Sequence, residues 1–218
     1  MACAQPFVCP SQAIAAASVE MEVDEILSKT CRDRVFYGNR GGLTLSGREP
    51  TAQPEALYEL LRKAADSNLS VCVETCGAFL PKTAEWLAEY CDLILFDLKD
   101  TDPVRHKQNT GYSLERILSS LQRLDDLGVK TLLRCVLIPG INMDEKHAQS
   151  IAEVYAGLKN CQRVELLPYH RFGLSKGKYL LNSRKQKEFQ PPDMEQLSDF
   201  FNQLIHFGCN PYCAKIDP

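Results

Sequence analysis

From residue 41 onward, short apolar segments alternate with longer amphipathic segments, and this alternation leaves few folds open to the chain. The short segments are rich in β-branched residues, whereas the longer ones carry apolar residues at helical spacing. Repeated strand and helix units of this kind build a parallel sheet that is covered by helices. The sequence therefore predicts an α/β fold.

Five strands and five helices follow from this pattern. We predict strands at residues 42–46, 70–74, 93–97, 131–138 and 163–167. We predict helices at residues 54–65, 82–90, 113–127, 144–158 and 193–205. Gly128 is expected to end the third helix in a left-handed C-cap, and Pro191 and Pro192 prevent an earlier start of the last helix. The basic, aperiodic segment 171–190 is predicted to be a long loop over one rim of the sheet.

The composition indicates one packed globular domain and argues against several other classes. Hydrophobic residues make up 44% of the chain and charged residues 24%, so the low apolar content of a disordered chain is absent. The net charge of -3, with scattered Lys and Arg, predicts no nucleic-acid partner. Without a membrane span or a signal peptide, we expect no membrane association and a cytoplasmic location. The ten cysteines are then expected as thiols or metal ligands rather than disulfides.

Polar residues follow the predicted strands where each one ends. The carboxyl ends of parallel strands meet at one edge, which carries the active site in parallel α/β barrels. The candidate residues at this edge are Ser46, Gly47, Glu49, Glu74, Thr75, Asp97, Lys99, Arg134 and His170. Such a mixture of acids and bases suits a zwitterion, because carboxylates pair with the ammonium of an amino acid and Lys or Arg pairs with its carboxylate.

Several of these residues also have a purely structural interpretation, which the sequence leaves open. Glu49 precedes a proline and could simply start a helix. Asp97 and Lys99 lie on the same face of a strand and could form a structural ion pair. Arg134 could cap a neighbouring loop, and His170 could be an interior histidine. An ordinary barrel enzyme that uses the acids and His170 for acid–base catalysis is a further alternative.

Five motifs at the predicted strand ends resemble those of a known family. They are GGLTLSGREP (41–50), VETCG (73–77), FDLKDTDPVRHKQNTG (96–111), LLRCVLIPGIN (132–142) and VELLPYHRFG (164–173). In this order they are similar to motifs of the activating enzymes of glycyl radical enzymes, of the pyruvate formate-lyase activase and glycerol dehydratase activase type. The resemblance implies a radical S-adenosylmethionine (SAM) fold, a partial (β/α)6 TIM-like barrel, over residues 20–218.

The resemblance also implies an activity and its cofactors. In such enzymes a 4Fe-4S cluster reduces SAM, and the resulting 5′-deoxyadenosyl radical takes a hydrogen atom from a glycine of a partner glycyl radical enzyme. The electron donor is of the flavodoxin or ferredoxin type. The protein supplies orientation and shielding, while the cofactors supply the chemistry.

Site residues are implied by the same motifs. The motif that holds the SAM amino group is matched by Ser46, Gly47 and Glu49. Contacts to the SAM carboxylate and ribose side are matched by Lys99, Arg134 and His170. The place of a monovalent cation beside the SAM carboxylate is matched by Glu74, Thr75 and Asp97.

The sequence departs from the family at its N-terminus and at one glycine. It lacks the Cys-x-x-x-Cys-x-x-Cys motif that binds the cluster. Cys3 and Cys9 resemble the last metal ligands of a ferredoxin-like insert, so we interpret residues 1–19 as a remnant of that insert. The chain is then expected to be N-terminally truncated, without the first strand and the cluster loop, and inactive alone. The alternative is a truncated barrel that binds SAM or docks a partner without redox chemistry.

Arg48 is the second departure, because the family motif has a glycine there. Glycine serves where the backbone approaches a ligand closely or needs a positive φ, and arginine does neither easily. We therefore expect Arg48→Gly to tighten SAM binding, and an unchanged affinity by calorimetry would count against the assignment.

Overall fold

A computed structural model describes residues 19–38, 41–171 and 188–216. The helices of the described residues are α1 (Val23–Arg32), α2 (Arg34–Tyr37), α3 (Pro54–Asp66), α4 (Pro81–Tyr90), α5 (Pro103–Thr110), α6 (Leu114–Asp126), α7 (Glu145–Ala156) and α8 (Met194–His206). The strands are β1 (Gly42–Leu45), β2 (Ser70–Thr75), β3 (Leu93–Leu98), β4 (Thr131–Leu137), β5 (Cys161–Pro168) and β6 (Pro211–Tyr212). They pair in chain order as one parallel sheet.

The predicted α/β class and the five predicted strands and helices are confirmed, with ends that differ by at most two residues. Helices α1, α2 and α5 and strand β6 were not predicted. Helix α5 escapes a search for apolar spacing because His106 is its buried residue. Instead it starts from its cap, where the Asp102 carboxylate accepts the Arg105 N–H at 2.8 Å and Pro103 occupies the first turn.

One face of the sheet packs against the helices and forms the core. The strands contribute Val71, Val73, Ile94, Phe96, Leu98, Leu133, Cys135, Leu137, Val164 and Leu166. The helices contribute Leu61, Leu87, Ile117, Ile151 and Leu204, among others. Full burial of such a side chain stabilises the fold by roughly 1.5–3 kcal/mol. Because side chains alternate along a strand, the residues between these core positions point to the opposite face of the sheet.

Two glycines shape the turns next to the sheet. Gly77, just after β2, has φ +78°, and a Cβ there would lie 2.5 Å from the ring of Phe96. The turn after β2 can therefore lie against the core only as glycine. Gly128 has φ +79° after α6, which confirms the predicted left-handed C-cap. At the last helix, Asp193 forms a capping box with Gln196, directly after the two prolines.

Some predictions fall outside the described residues. These are residues 1–18 of the ferredoxin-like remnant predicted at residues 1–19, with Cys3 and Cys9, and residues 172–187 of the predicted rim loop. The domain boundary at residue 20 stays a prediction. Among the helices of the described ranges, none is long and apolar enough to cross a bilayer.

Candidate functional site

Strand register brings polar residues of neighbouring strands to one face of the sheet. Asp97 of β3 is aligned with Arg134 of β4, and Glu74 of β2 is aligned with Leu95, two residues before Asp97. Aligned residues of parallel strands point to the same side, so these three charged side chains share the face that turns away from the helices. Just beyond β1, the Ser46 hydroxyl donates a hydrogen bond of 2.7 Å to Glu74.

Ion pairs and one hydrogen bond join these side chains into one group, which we call the rim network: Ser46, Glu74, Asp97, Lys99 and Arg134. The Nη1 atom of Arg134 lies 2.8 Å from Oε1 of Glu74, and its Nε lies 3.7 Å from Oδ1 of Asp97. The Nζ atom of Lys99 lies 2.6 Å from Oδ2 of Asp97. The predicted alternative of an ion pair between Asp97 and Lys99 is therefore present, and Arg134 joins the acids of two other strands.

The rim network leaves hydrogen-bonding capacity unused. Oδ1 of Asp97 and both Nε and Nη1 of Arg134 are buried, and no described residue forms a hydrogen bond with them. The contact of Nη1 with Glu74 is close, but its angles are not those of a hydrogen bond. An unmet buried polar group costs about 1–3 kcal/mol, so such groups normally have a partner. A ligand with both an ammonium and a carboxylate would supply donors and acceptors at this place.

Glu49 is held by a separate set of partners. Its Oε1 accepts hydrogen bonds from the Thr51 hydroxyl at 2.7 Å, the Thr75 hydroxyl at 2.8 Å and the Thr51 N–H at 3.3 Å. Its Oε2 accepts from the Cys76 N–H at 2.9 Å. Burial alone would raise the pKa of the Glu49 carboxyl, but the hydrogen bonds from Thr51, Cys76 and Thr75 outweigh burial and lower it.

The contacts of Glu49 give it a structural task. It caps a short 3-10 helix, Pro50–Ala52, so the alternative that it merely starts a helix is also realised. Through Thr75 and Cys76 it ties the turn after β1 to the end of β2. Its carboxylate and the Thr75 hydroxyl thus bind each other instead of joining the rim network.

Gly47 and Arg48 form the exposed turn between Ser46 and Glu49. Gly47 has φ +125°, which favours glycine, whereas Arg48 is not in the left-handed region. Arg48 therefore adopts a backbone conformation that any residue accepts. The conformational reason for expecting strain at Arg48 is wrong, and only the bulk of its side chain near a ligand remains as a reason.

His170 lies two residues beyond β5 at the same edge of the sheet and is exposed, so the interior-histidine alternative does not hold. The neighbouring N–H of Tyr169 donates to the carbonyl of Leu137 at 2.9 Å and continues the pairing of β5 with β4. The structure thus places His170 on the rim, one strand beyond Arg134.

The described residues contain no group of three or more His, Cys, Asp or Glu that could hold a metal ion. Cys3 and Cys9 lie outside them. At the rim, burial first and Glu49 second raise the pKa of the Cys76 thiol to about 11, so Cys76 is a protonated neighbour of the site.

A second charged pair lies on the same face and was missed by the sequence analysis. The Nη2 atom of Arg163 lies 2.6 Å from Oε1 of Glu165, and both residues belong to β5. Charged residues two positions apart in an otherwise apolar strand were the available signal, because they must share a face.

The chain is similar in sequence to known proteins. The sequence profile of the Radical SAM superfamily matches residues 3–151. The isethionate sulfite-lyase activating enzyme of Oleidesulfovibrio alaskensis is 37% identical over 183 residues, which cover 83% of this chain and 58% of that protein. The pyruvate formate-lyase-activating enzyme of Streptococcus mutans is 31% identical over 195 residues, which cover 87% of this chain and 74% of that protein.

The fold is similar to that of a solved relative. The crystal structure of a domain of pyruvate-formate lyase-activating enzyme from Bacteroides vulgatus superposes with a TM-score of 0.67 and 27% identity, over 80% of this chain and 99% of that chain. The chain spans little more than half the length of the first relative, the isethionate sulfite-lyase activating enzyme.

Proposed function

The chain belongs to the radical SAM superfamily, and from that membership we propose that it forms the SAM-binding wall of an activating enzyme that generates a glycyl radical on a partner enzyme. Its relatives carry the names of activating enzymes for isethionate sulfite-lyase and pyruvate formate-lyase. Because the chain spans 58% of the first relative, the activity of a whole protein is part of the proposal. So are the partner, a flavodoxin or ferredoxin type electron donor, and a cytoplasmic location.

The unmet atoms of the rim network carry this proposal. The amino-acid end of SAM has an ammonium group, for which Glu74 and Asp97 supply carboxylate oxygens, and a carboxylate, for which Arg134 and Lys99 supply donors. Oδ1 of Asp97 and two nitrogens of Arg134 are buried without hydrogen bonds to described residues, so such a ligand meets groups that are ready to bind it. When bound, SAM supplies the 5′-deoxyadenosyl group that takes a hydrogen atom from the partner's glycine.

In this proposal the turn after β1 contacts SAM through its backbone and not through the carboxylate of Glu49. Glu49 is engaged by Thr51, Thr75 and Cys76, so its role is to hold Ser46 and Gly47 in place at the rim. His170, exposed at the end of β5, is the proposed contact on the ribose side.

A 4Fe-4S cluster does not fit the residues at hand. The sequence has no Cys-x-x-x-Cys-x-x-Cys motif, and the described residues assemble no group of metal ligands. We derive no step through a cluster. This observation favours the second candidate function, in which the chain as given binds SAM or docks the partner without cleaving SAM.

A monovalent cation is part of the proposal as a charge-balancing group. When Arg134 and Lys99 turn to the SAM carboxylate, Glu74 and Asp97 lose the cations that now neutralise them, and the single SAM ammonium replaces only one positive charge. A monovalent cation beside the two carboxylates would supply the second charge and offset their remaining repulsion. The Thr75 hydroxyl is bound to Glu49, so the cation would rest on Glu74 and Asp97.

Calorimetric titration of the chain with SAM tests the proposal. Arg134→Met removes the guanidinium and should weaken binding by about 10- to 100-fold, the size expected for a charge-assisted hydrogen bond. Arg123→Met is the matched control, because Arg123 forms an exposed ion pair with Glu85 on the helical side. Equal SAM affinity of the wild-type chain and Arg134→Met would contradict the proposed site. Release of 5′-deoxyadenosine by this chain after anaerobic reconstitution and reduction would contradict the proposal that it binds SAM without cleavage.

A further inference from the structure

Arg134 has an acidic neighbour on β5 that it does not pair with. Glu165 is aligned with Arg134 across the β4 and β5 pair, so both side chains start about 5 Å apart on the same face. Ion pairing across such a position is normally favourable. Within the described part of the chain, however, the ion pairs of Arg134 are those with Glu74 and Asp97.

The carboxylate of Glu165 is held by Arg163 instead. Nη2 of Arg163 lies 2.6 Å from Oε1 of Glu165. The guanidinium of Arg163 also stacks on the ring of Tyr212 in β6, 4.2 Å from its centroid. Tyr212 is itself aligned with Glu165, so the three side chains form one layer beside the rim network. Arg163 is therefore fixed at two points, by a carboxylate and by an aromatic face.

The pairing of Glu165 with Arg163 determines which nitrogens of Arg134 are available to a ligand. The side chains of Arg134 and Glu165 are 16% and 17% exposed, so attraction between them would be less screened than at the surface. If Glu165 turned to Arg134, its carboxylate would occupy nitrogens that now have no hydrogen-bond partner among the described residues. A ligand carboxylate would then have to displace it.

We infer that Arg163 is a positioning residue, which keeps Glu165 away from Arg134 and so leaves Arg134 open to the carboxylate of an amino-acid ligand. The inference rests on the proposed function in taking SAM as that ligand. The ion pair of Arg163 and Glu165 thereby acts on affinity without touching the ligand.

A set of substitutions measured by SAM calorimetry separates this role from a merely structural one. Arg163→Met should weaken SAM binding by about tenfold, within the usual range of coupling between neighbouring residues. Arg163→Met combined with Glu165→Gln should restore affinity to within about twofold of wild type, because the competing charge is gone. Arg163→Lys keeps the charge and should stay near wild type. Arg123→Met serves again as the control for loss of an arginine at an ion pair.

A crystal structure of the Arg163→Met chain without ligand gives a second readout that does not depend on SAM. We expect Glu165 to lie within ion-pair distance of Arg134 there. An unchanged affinity of Arg163→Met, or a double variant as weak as Arg163→Met alone, would overturn the inference. If the wild-type chain does not bind SAM, the proposed function fails. The crystal structure still decides whether Arg163 holds Glu165 away, and a Glu165 that remains distant from Arg134 refutes it.

Discussion

Arg134 is a charged side chain that lies mostly buried on one face of the sheet. Its side chain is 16% exposed, so burying its charge is costly unless acids lie near. Glu74 and Asp97 lower that cost, but their geometry leaves two nitrogens without hydrogen bonds among the described residues. The charge of Arg134 is therefore neutralised by acids, while part of its hydrogen-bonding capacity stays unused. Such a side chain is suited to bind a ligand.

The hydrogen bonds of Glu49 predict a measurable contribution of this single residue to stability. Glu49→Gln removes a half-buried charge that accepts four hydrogen bonds and should lower the free energy of unfolding by about 1–3 kcal/mol at pH 7. Because the folded pKa of Glu49 is below its ordinary value of 4.5, this stabilisation is present above pH 4.5 and is lost as the pH falls through the folded pKa. Denaturant unfolding of both proteins at pH 7 and pH 3 measures the difference, which should shrink at pH 3.

The control for Glu49 is Glu55→Gln, at an exposed glutamate in the first turn of α3. It should change stability by less than about 0.5 kcal/mol, as exposed substitutions usually do. An equal effect of the two substitutions would show that the hydrogen bonds of Glu49 contribute nothing specific.

At the scale of elements, the turns after the strands decide where the polar side chains go. The turn after β1 is tied to β2 by Glu49, and the turn after β2 is pressed against β3 through Gly77 and Phe96. These two turns flank Ser46 and Glu74, so their geometry determines where this part of the rim network lies. The helices matter to the site mainly because they bury the other face of the strands.

Gly77→Ala tests how tightly the turn after β2 is packed. Positive φ costs an alanine about 1 kcal/mol, and contact of its Cβ with Phe96 should add roughly 1–3 kcal/mol of overpacking. Gly111→Ala is the matched control, since Gly111 has φ +83° with no atom within 4 Å of a Cβ. Thermal or denaturant unfolding should show a larger loss for Gly77→Ala than for Gly111→Ala. Similar losses would mean that the turn moves away from Phe96 without cost.

At the scale of the whole molecule, one buried histidine joins the loop after β3 to the helical layer. Nδ1 of His147, in the first turn of α7, lies 2.6 Å from the Thr101 hydroxyl, and the ring stands 6.1 Å from that of Phe200 in α8. His147 is 2% exposed. Burial lowers its pKa to about 4, with Asp100 and Asp144 opposing the shift and Arg105 adding to it.

This histidine should make the stability of the fold depend on pH. In the unfolded chain His147 takes up a proton near its ordinary pKa of 6.5, whereas in the folded chain it does so only near pH 4. Protonation therefore stabilises the unfolded state, and the free energy of unfolding falls as the pH drops below 6.5. Between pH 7 and pH 5 the wild-type chain should lose about 2 kcal/mol more than His147→Gln does. Denaturant unfolding at a series of pH values measures both slopes.

His206→Gln is the control for His147, because His206 is exposed in the last turn of α8. It measures the effect of replacing an exposed histidine, with which the effect of His147→Gln is compared. If the free energies of unfolding of His147→Gln and the wild type change with pH in parallel, burial of His147 does not lower its pKa in the fold.

The order of strands and helices could be predicted from the sequence, because apolar spacing, prolines and glycines act locally. Residues 42–46 and 131–138 were assigned as strands on that ground, and Gly128 as a C-cap. The sequence also indicated which edge carries the polar residues, since parallel strands all end on the same side. The resemblance in five motifs added the radical SAM superfamily, which the matching profile confirms.

Which charged side chains pair with each other became clear only from the three-dimensional arrangement of the strands. Glu49, Glu74 and Asp97 are all acids near the ends of predicted strands, yet Glu49 binds Thr75 and Cys76 whereas Glu74 and Asp97 pair with Arg134. Glu165 likewise pairs with Arg163 rather than with its aligned neighbour Arg134. Pairing among charges is set by distances of a few ångströms between strands that lie far apart in the chain. Register and turn geometry fix those distances, and neither can be determined from local sequence patterns alone.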